Sequence, residues 1–277
     1  MRDGLWRCEN CHSHKLLCQS CCRDKHTANP YHRVRRWNGS YFEMGALWQV
    51  GVKLYLGHDG NPCDSPHFTN DTEMDLKTER FEEFISDGSD LDEDEDEEGE
   101  DEEDTGGFRL DDVQIPKPPR HDSQGHPFVT VVDASGVHYL PVVRCHCGDA
   151  STNPKPDEPF VRLGLFPTSF KEVKTVFTRA ALEDFRISNL ECKVSAYHYY
   201  QKLRRITCPA NPKSVLDRYR ELRRLSRIYR NLMLRMEFGW GYYDGSPPPE
   251  GRLAYFCPTC PQPGVNLPDD WKGDENR

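Results

Sequence analysis

Apolar side chains occur in short blocks along the chain, and the strongest blocks predict β-strands. Residues 128–132 and 137–143 are rich in β-branched side chains, and the Asp-Ala-Ser-Gly segment between them is typical of a turn. Two such runs joined by a tight turn predict a β-hairpin. A third run, residues 50–56, predicts another strand, and the Gly- and Pro-containing segment 57–63 predicts a loop after it.

Apolar residues three and four positions apart predict three helices in the C-terminal half. The first two cover about 178–189 and 195–206, and Ser195 is placed to cap the second. The third follows Pro212 and ends before Gly239. Its apolar stripe comprises Val215, Tyr219, Leu222, Tyr229, Met233 and Met236. Its opposing face carries Arg220, Arg223, Arg224, Arg227 and Arg230.

These elements predict an α+β fold, in which a small N-terminal finger precedes a mixed α/β unit. Residues 71–127 are too polar and Pro-rich to form a core, which predicts a long disordered acidic linker. The predicted segments are a Cys/His cluster at 1–40, a strand and loop with Cys63 at 41–70, the linker at 71–127, a hairpin-plus-helix unit at 128–270, and a tail at 271–277.

The net charge of −10 over 277 residues argues at first against a nucleic-acid partner. Residues 86–105, however, hold fourteen carboxylates and no Lys or Arg, so the other 257 residues are mildly basic at +4. Residues 1–40 carry +5 and residues 161–240 carry +10. The acidity therefore belongs to one tract, and the remainder of the chain is compatible with binding to phosphates.

The start of the chain has no apolar signal segment, and no stretch approaches eighteen apolar residues. We therefore expect a soluble intracellular protein without a membrane partner. In a reducing compartment, Cys-x-x-Cys pairs mixed with histidines indicate metal ligands rather than disulfides.

Two Cys-x-x-Cys pairs and two histidines fall within 25 residues near the N-terminus and predict zinc binding. Two ligand sets are possible. The four cysteines can bind one ion in sequence, or the first pair can combine with the two histidines, as in a cross-brace. In the second case the other pair needs ligands upstream of Cys8, and we expect that the chain has lost its natural N-terminus. The residues are Cys8, Cys11, Cys18, Cys21, His26 and His32. Cys22 is predicted to be a buried thiol.

A second zinc site is predicted at the two ends of the C-terminal unit. It combines Cys145 and Cys147, just after the hairpin, with Cys257 and Cys260 near the end of the chain. Cys63, close to His58 on its loop, is an additional or alternative ligand. The cofactor expected is therefore Zn²⁺, with one to three ions per chain. The predicted fold accordingly has a small zinc-stabilised N-terminal finger with a ZZ- or B-box-like cross-brace, followed by a mixed α/β unit closed by zinc.

The cysteine pattern and several short motifs together resemble a known family. They include Trp6-Arg7-Cys8-x2-Cys11, Leu56-Gly57-His58, Val132-Asp133-Ala134-Ser135-Gly136, Cys145-x-Cys147 and Cys257-Pro258-Thr259-Cys260. In order and spacing they resemble the cysteine-cluster (Cys-x-Cys type) domain associated with fungal KDZ (Kyakuja-Dileera-Zisupton) transposases. Similar proteins usually carry a further Cys-x-x-Cys upstream of the first pair, and a transposase core follows the Asn-Leu-Pro motif at 266–268.

The resemblance implies an accessory module of a transposable-element protein that lacks the catalytic core, so we expect no catalytic residues, no enzyme activity and no small-molecule substrate. The phosphate-binding loops and nucleophile motifs of common enzymes are absent from the sequence.

DNA is the first expected partner, and a transposase core or a chromatin protein is the second, which implies nuclear localisation. Expected nucleic-acid contacts are Arg33, Arg35, Arg36, Arg220, Arg223, Arg224, Arg227 and Arg230. The alternative is a ZZ- or B-box-like zinc module that recognises a peptide or chromatin protein. The arginines would then be the solvated side of an amphipathic helix.

Overall fold

The computed structural model describes residues 4–63, 115–145, 147 and 155–241, together with isolated residues beyond 241. The acid tract at 86–105 and the rest of the predicted linker up to residue 114 lie outside the described residues. Within the described part, the fold is mixed α/β, with two sheets and five α-helices.

The first sheet contains three short antiparallel strands in chain order, near the N-terminus. One helix lies between its first two strands in the sequence. The elements are β1 (Trp6–Cys8), α1 (Gln19–His26), β2 (Val34–Trp37) and β3 (Phe42–Gly45).

The second sheet has five strands in the order β4-β6-β5-β8-β7, with mixed strand directions. β4 is parallel to β6 and β5 is parallel to β8, whereas β5–β6 and β7–β8 are antiparallel. The strands are β4 (Leu54–Leu56), β5 (Phe128–Asp133), β6 (Gly136–Arg144), β7 (Leu165–Pro167) and β8 (Thr175–Thr178).

The predicted hairpin is confirmed by the pairing of β5 with β6, which runs from Phe128 opposite Pro141 to Asp133 opposite Gly136. β5 lies at the centre of the sheet. Its side chains are buried on both faces, which explains why its sequence is apolar without alternation.

The strand predicted at 50–56 is shorter in the structure. Leu47–Val50 forms a 3₁₀ turn, which ends at Gly51 with a left-handed φ of 91°. The amide of Val52 then donates to the carbonyl of Leu47, so only Leu54–Leu56 is free to pair with β6. The first half of the predicted strand is therefore part of a local turn.

The helices are α2 (Glu158–Arg162), α3 (Arg179–Cys192), α4 (Ala196–Thr207) and α5 (Tyr219–Glu237). α3 and α4 confirm the two helices predicted near 178–189 and 195–206, and the Ser195 hydroxyl caps α4 by accepting from the amide of His198. The third predicted helix begins later than expected. The Asn211 side chain caps a separate 3₁₀ turn at Pro212–Ser214, so α5 starts only at Tyr219.

Buried apolar side chains from both sheets form one core, so the N-terminal strands and the hairpin share a hydrophobic core. It contains Trp6, Cys8, Cys22 and Val34 from the first sheet and α1, and Val129, Val131, Leu140, Val142 and Val176 from the second sheet. Cys22 is completely buried, which confirms the prediction for this thiol.

Residues 115–127, at the C-terminal end of the predicted linker, are among the described residues and make specific contacts. Ile115 is buried, and the Asp122 carboxylate lies 2.6 Å from the Lys53 ammonium and 2.9 Å from the His126 ring. These polar contacts hold a segment whose composition alone indicated a solvated chain.

The chain divides into two compact units, Met1–Leu225 and Ser226–Arg277, with the boundary inside α5. The sequence-based boundaries at 40, 70 and 127 stay predictions. Among the described helices, none combines the length and apolar character needed to cross a bilayer.

Candidate metal centres

Four of the six predicted N-terminal ligands converge on one point. We call this group cluster A, and it consists of Cys8, Cys11, His26 and His32, whose ligand atoms all lie within 4.8 Å of one another. Cys11 Sγ is 3.5 Å from His26 Nε2 and 3.5 Å from His32 Nδ1, and Cys8 Sγ is 3.6 Å from His32 Nδ1. Two thiolates and two imidazoles at these separations can surround a single tetrahedral ion.

Secondary structure places each cluster A side chain. Cys8 ends β1, His26 ends α1, and His32 precedes β2. The Cys11 amide donates to Cys8 Sγ at 3.2 Å, the contact by which a tight Cys-x-x-Cys turn orients its first sulfur. His26 Nδ1 donates to the Cys22 carbonyl at 2.7 Å, and because a carbonyl only accepts, Nε2 is the nitrogen that can bind a metal after it loses its proton.

Burial alone would lower the pKa of His26, but hydrogen bonds to Cys22 and Cys11 outweigh it and raise the pKa to about 9. Burial also lowers the pKa of His32, and positive charge on His26 lowers it further. Metal binding must therefore displace a proton from His26, so occupancy of cluster A should fall as the pH falls.

Cys18 and Cys21 are not part of cluster A, although both were predicted as ligands. Cys18 is the N-cap residue of α1, and Cys21 is exposed on its first turn. A hydrogen bond with the Ser20 hydroxyl, and then one with the backbone of Cys21, lower the pKa of Cys18 to about 7. Of the two pairings left open by the sequence, the geometry thus brings together the cross-brace set.

A second group forms where two parallel strands end side by side. We call it cluster B, and it consists of His58, Cys63, Cys145 and Cys147, again with ligand atoms within 4.8 Å of one another. His58 Nε2 is 3.0 Å from Cys145 Sγ, and Cys63 Sγ is 3.0 Å from Cys147 Sγ. The Cys147 amide donates to Cys145 Sγ at 3.3 Å, as in the Cys8 turn.

Cluster B depends on the pairing of β4 with β6. Leu56 of β4 and Arg144 of β6 are the last paired residues. Gly57 and Cys145 come next on the two strands, so they lie at the same edge of the sheet. Gly57 adopts φ 144°, and a Cβ there would lie 2.7 Å from the Cys145 Cβ. His58 is therefore directed at Cys145 by a turn that accommodates only glycine at its first position.

The structure groups Cys145 and Cys147 with His58 and Cys63. Cys257 lies outside the described residues, and Cys260 is exposed in the second unit. Cys63, which the sequence suggested only as an additional or alternative ligand, completes this group together with His58, which was not predicted as a ligand. Ligation by Cys257 and Cys260 stays a prediction.

Both clusters contain sulfur and imidazole nitrogen without carboxylate. This donor set suits a borderline or soft transition metal and not Mg²⁺ or Ca²⁺, which prefer oxygen ligands. Cluster A is largely buried, whereas cluster B is partly exposed. Each provides four protein ligands, the number found in closed structural sites.

The β5–β6 turn supports the loop that carries His32. The Ser135 hydroxyl donates to the Tyr31 carbonyl at 2.7 Å and also lies 2.6 Å from the Asp133 carboxylate and 3.0 Å from His138 Nε2. Burial lowers the pKa of His138, so its ring is neutral at pH 7. The hairpin therefore holds the residue before a cluster A ligand.

The predicted nucleic-acid contacts lie in two places. Arg33 and Arg35 both pair with Glu9, at 3.7 and 2.5 Å, while Arg36 is exposed. On α5, Arg224 donates to the Thr168 carbonyl, and most of the arginine face is exposed. The exposed arginines of α5 are Arg220, Arg223, Arg224 and Arg227, and Arg230 is half-buried.

The apolar stripe predicted for α5 is only partly buried. Leu222 and Tyr229 are buried, and Leu225, which the prediction omitted, is buried as well. Met236 is 57% exposed, and Val215 is buried but precedes the helix.

The comparisons agree with the cysteine chemistry. Residues 115–211 match the family model described as "CxC2 like cysteine cluster associated with KDZ transposases". This range contains β5 to β8, α2 to α4 and the Cys145/Cys147 pair of cluster B. Neither the curated proteins nor the solved structures yielded a match to the chain. The resemblance to the KDZ transposase-associated cysteine cluster is thus confirmed over residues 115–211, the CxC2-like segment of this protein.

Proposed function

We propose that this protein is a zinc-stabilised accessory module of a KDZ-type transposase, and that it binds nucleic acid and has no catalytic activity of its own. The observation that carries the proposal is the presence of two four-ligand Cys/His groups in a chain whose cysteine segment matches the transposase-associated family.

Zinc is the metal that fits both donor sets best. It accepts thiolate and imidazole ligands in a tetrahedral arrangement and undergoes no redox chemistry, which suits a structural site in a reducing compartment. Because each cluster supplies four protein ligands, no coordination position is reserved for a substrate or water. This supports a structural rather than a catalytic metal.

Zinc stoichiometry under native conditions tests this part of the proposal. We expect native mass spectrometry to detect at least two zinc ions per chain, one for each cluster among the described residues, and chelation to release both while unfolding the first unit. A protein that is folded and contains no zinc would contradict the proposal.

Nucleic-acid binding is supported by the basic face of α5. The helix carries six arginines and two glutamates, and four of the arginines are exposed. Arginines along one helical face can contact successive phosphates, or base edges if the helix enters a major groove.

Charge reversal tests this contact. Triple substitution of Arg220, Arg223 and Arg227 by Glu should weaken binding to a DNA duplex at least about tenfold at 50 mM salt and reduce the salt dependence of binding. The matched control reverses three exposed cations elsewhere, Lys155, Arg162 and Lys171, and so changes the net charge equally. Equal losses in both triple variants would indicate a net-charge effect instead of a binding face.

The second candidate function is recognition of a peptide or chromatin protein by the N-terminal zinc finger. Absence of binding to duplex or single-stranded nucleic acid at 50 mM salt would eliminate the first proposal and leave this one. Either function places the protein with a transposase core or chromatin in the nucleus.

A further inference from the structure

The first sheet presents two chemically different faces. Side chains alternate along a strand, so Trp6, Cys8 and Val34 share the inner face, where all three are buried. The outer face comprises Arg7, Arg35, Trp37, Phe42 and Met44, as the strand register shows. We call this surface the outer sheet face.

Aromatic rings and an arginine are stacked on the outer sheet face. The Arg7 guanidinium carbon is 4.4 Å from the centroid of the Phe42 ring, and the Phe42 and Trp37 rings are 5.0 Å apart at 57°. Trp37 keeps 36% of its surface exposed, and neighbouring Leu5 keeps 37%. An exposed indole beside a cation offers a flat surface on which another π system can stack.

The charge of the outer sheet face is positive. Arg35 pairs with Glu9 at 2.5 Å, so these two charges cancel and the net positive charge comes from Arg7. Arg7 has no ion pair within the described part of the chain and stacks on Phe42 instead. Glu43 is paired with Arg36, and Arg36 is paired with Trp6 of the inner face, so the Glu43 carboxylate does not belong to the outer sheet face. A ligand of this surface should carry negative charge as well as exposed π faces.

The aromatic positions are held rigidly. The Asn38 side-chain oxygen accepts from the amides of Ser40 and Tyr41, which fixes the turn between β2 and β3. On the other face, Cys8 anchors β1 in cluster A. The stacking surface is therefore formed before any ligand arrives, which reduces the entropic cost of binding.

We propose that the outer sheet face binds single-stranded nucleic acid, with an unpaired base stacked on Trp37 and the flanking phosphates contacted by Arg7 and Arg35. This inference rests on the proposed nucleic-acid function and specifies a second contact for it. A duplex does not fit, because its bases stack on each other and hide their faces. An unpaired strand offers both exposed bases and negative charge.

The test uses the full-length, zinc-loaded protein and a fluorescent oligothymidylate of about 15 nucleotides, a length within the range of single-strand sites. Trp37→Ala should weaken binding in fluorescence anisotropy at least about fivefold, and Trp37→Phe should retain most of the affinity. Tyr197→Ala is the matched control, since Tyr197 is an exposed aromatic on α4, and its affinity should equal that of wild type. Zinc content and circular dichroism identify any variant that fails to fold.

Arg7→Gln is an independent variant. If Arg7 contacts one phosphate, the slope of log affinity against log salt concentration should become less negative by about 0.7. Unchanged binding of both Trp37→Ala and Arg7→Gln would overturn the proposal.

The same titrations separate this inference from the proposed function. If charge reversal on α5 abolishes binding while Trp37→Ala has no effect, the nucleic-acid function stands and the outer sheet face is excluded. If neither the duplex nor the oligothymidylate binds at 50 mM salt, both proposals fail.

Discussion

Single residues decide whether cluster B can form. Gly57 holds a backbone conformation with φ 144° directly beside Cys145, and this turn aims His58 at the Cys145 sulfur. A cysteine motif shows which residues can bind metal. The glycine next to it determines whether a second ligand from a distant strand can reach the same point.

Gly57→Ala should therefore remove the metal from cluster B. The added methyl group would lie 2.7 Å from the Cys145 Cβ, and the positive φ is unfavourable for alanine. We expect a loss of about 1–3 kcal/mol in unfolding free energy, and one zinc ion fewer per chain by native mass spectrometry. Gly39→Ala is the control, because Gly39 has φ 106° but no atom within 4 Å of a Cβ. Equal metal content in the Gly57 variant and wild type would contradict this account.

Asp122 fixes the segment before β5 through its contacts with Lys53 and His126. Burial alone would raise the pKa of its carboxyl, but hydrogen bonds from Lys53 and then from His126 hold the pKa well below its usual range. A carboxyl with a lowered pKa in the folded state stabilises the fold above its unfolded pKa of about 4, and this contribution is lost as the pH falls below that value.

Asp122→Asn should destabilise the protein by about 1–3 kcal/mol at pH 7, because Lys53 loses a partner in a mostly buried pair. The difference between variant and wild type should shrink below about pH 4. Urea unfolding at several pH values measures both effects, and Asp59→Asn, at an exposed position, serves as the control. A difference that does not depend on pH would show that the carboxylate charge is not responsible.

At the scale of elements, short strands and helices bring together ligands that are apart in sequence. β1 delivers Cys8, and α1 delivers His26 with its Nε2 facing inward. α1 has only eight residues and is too short to be stable in isolation. Packing must therefore stabilise the helix, and a metal ion bound in cluster A would stabilise the helix and the cluster together.

Single cysteine substitutions distinguish the two pairings that the N-terminal spacing allowed. Cys11→Ser should eliminate one bound zinc ion and lower thermal stability, because Cys11 belongs to cluster A. Cys18→Ser should leave the zinc content unchanged, since Cys18 lies outside both clusters. Native mass spectrometry of the two variants under identical conditions measures this. Loss of zinc from Cys18→Ser would favour the sequential four-cysteine site.

Elements with local causes were predictable. α3, α4 and the hairpin follow from spacing, from the Ser195 cap and from a turn segment, all of which act within a few residues. The start of α5 and the length of β4 were not predictable, because each depends on a short turn. The Asn211 side chain caps the turn before α5, and Gly51 ends the turn before β4.

At the scale of the whole molecule, the charge is unevenly distributed. Residues 86–105 contain fourteen carboxylates, whereas residues 1–40 carry a net charge of +5 and residues 161–240 a net charge of +10. Charges of opposite sign attached to one chain attract each other at low ionic strength, so the acid tract can compete with a nucleic acid for the arginines.

Replacement of these fourteen carboxylates by their amides should therefore raise nucleic-acid affinity at least about threefold at 50 mM salt. The gain should disappear as salt increases, because screening weakens the attraction within the chain. A control that shuffles residues 86–105 keeps their charge and should bind like wild type. Equal affinity of the amide variant and wild type at low salt would indicate that the tract acts only as a spacer.

The sequence by itself determined the local features of this protein: the hairpin, two helices, the paired cysteines and the resemblance to the KDZ-associated cysteine cluster. Tertiary structure alone decided the ligand sets. His58 and Cys145 are 87 residues apart, and they meet because β4 pairs in parallel with β6. Periodicity and spacing report interactions between near neighbours in the chain. A metal site assembled from two strand ends depends on which strands pair, and that pairing is set by the packing of the whole core.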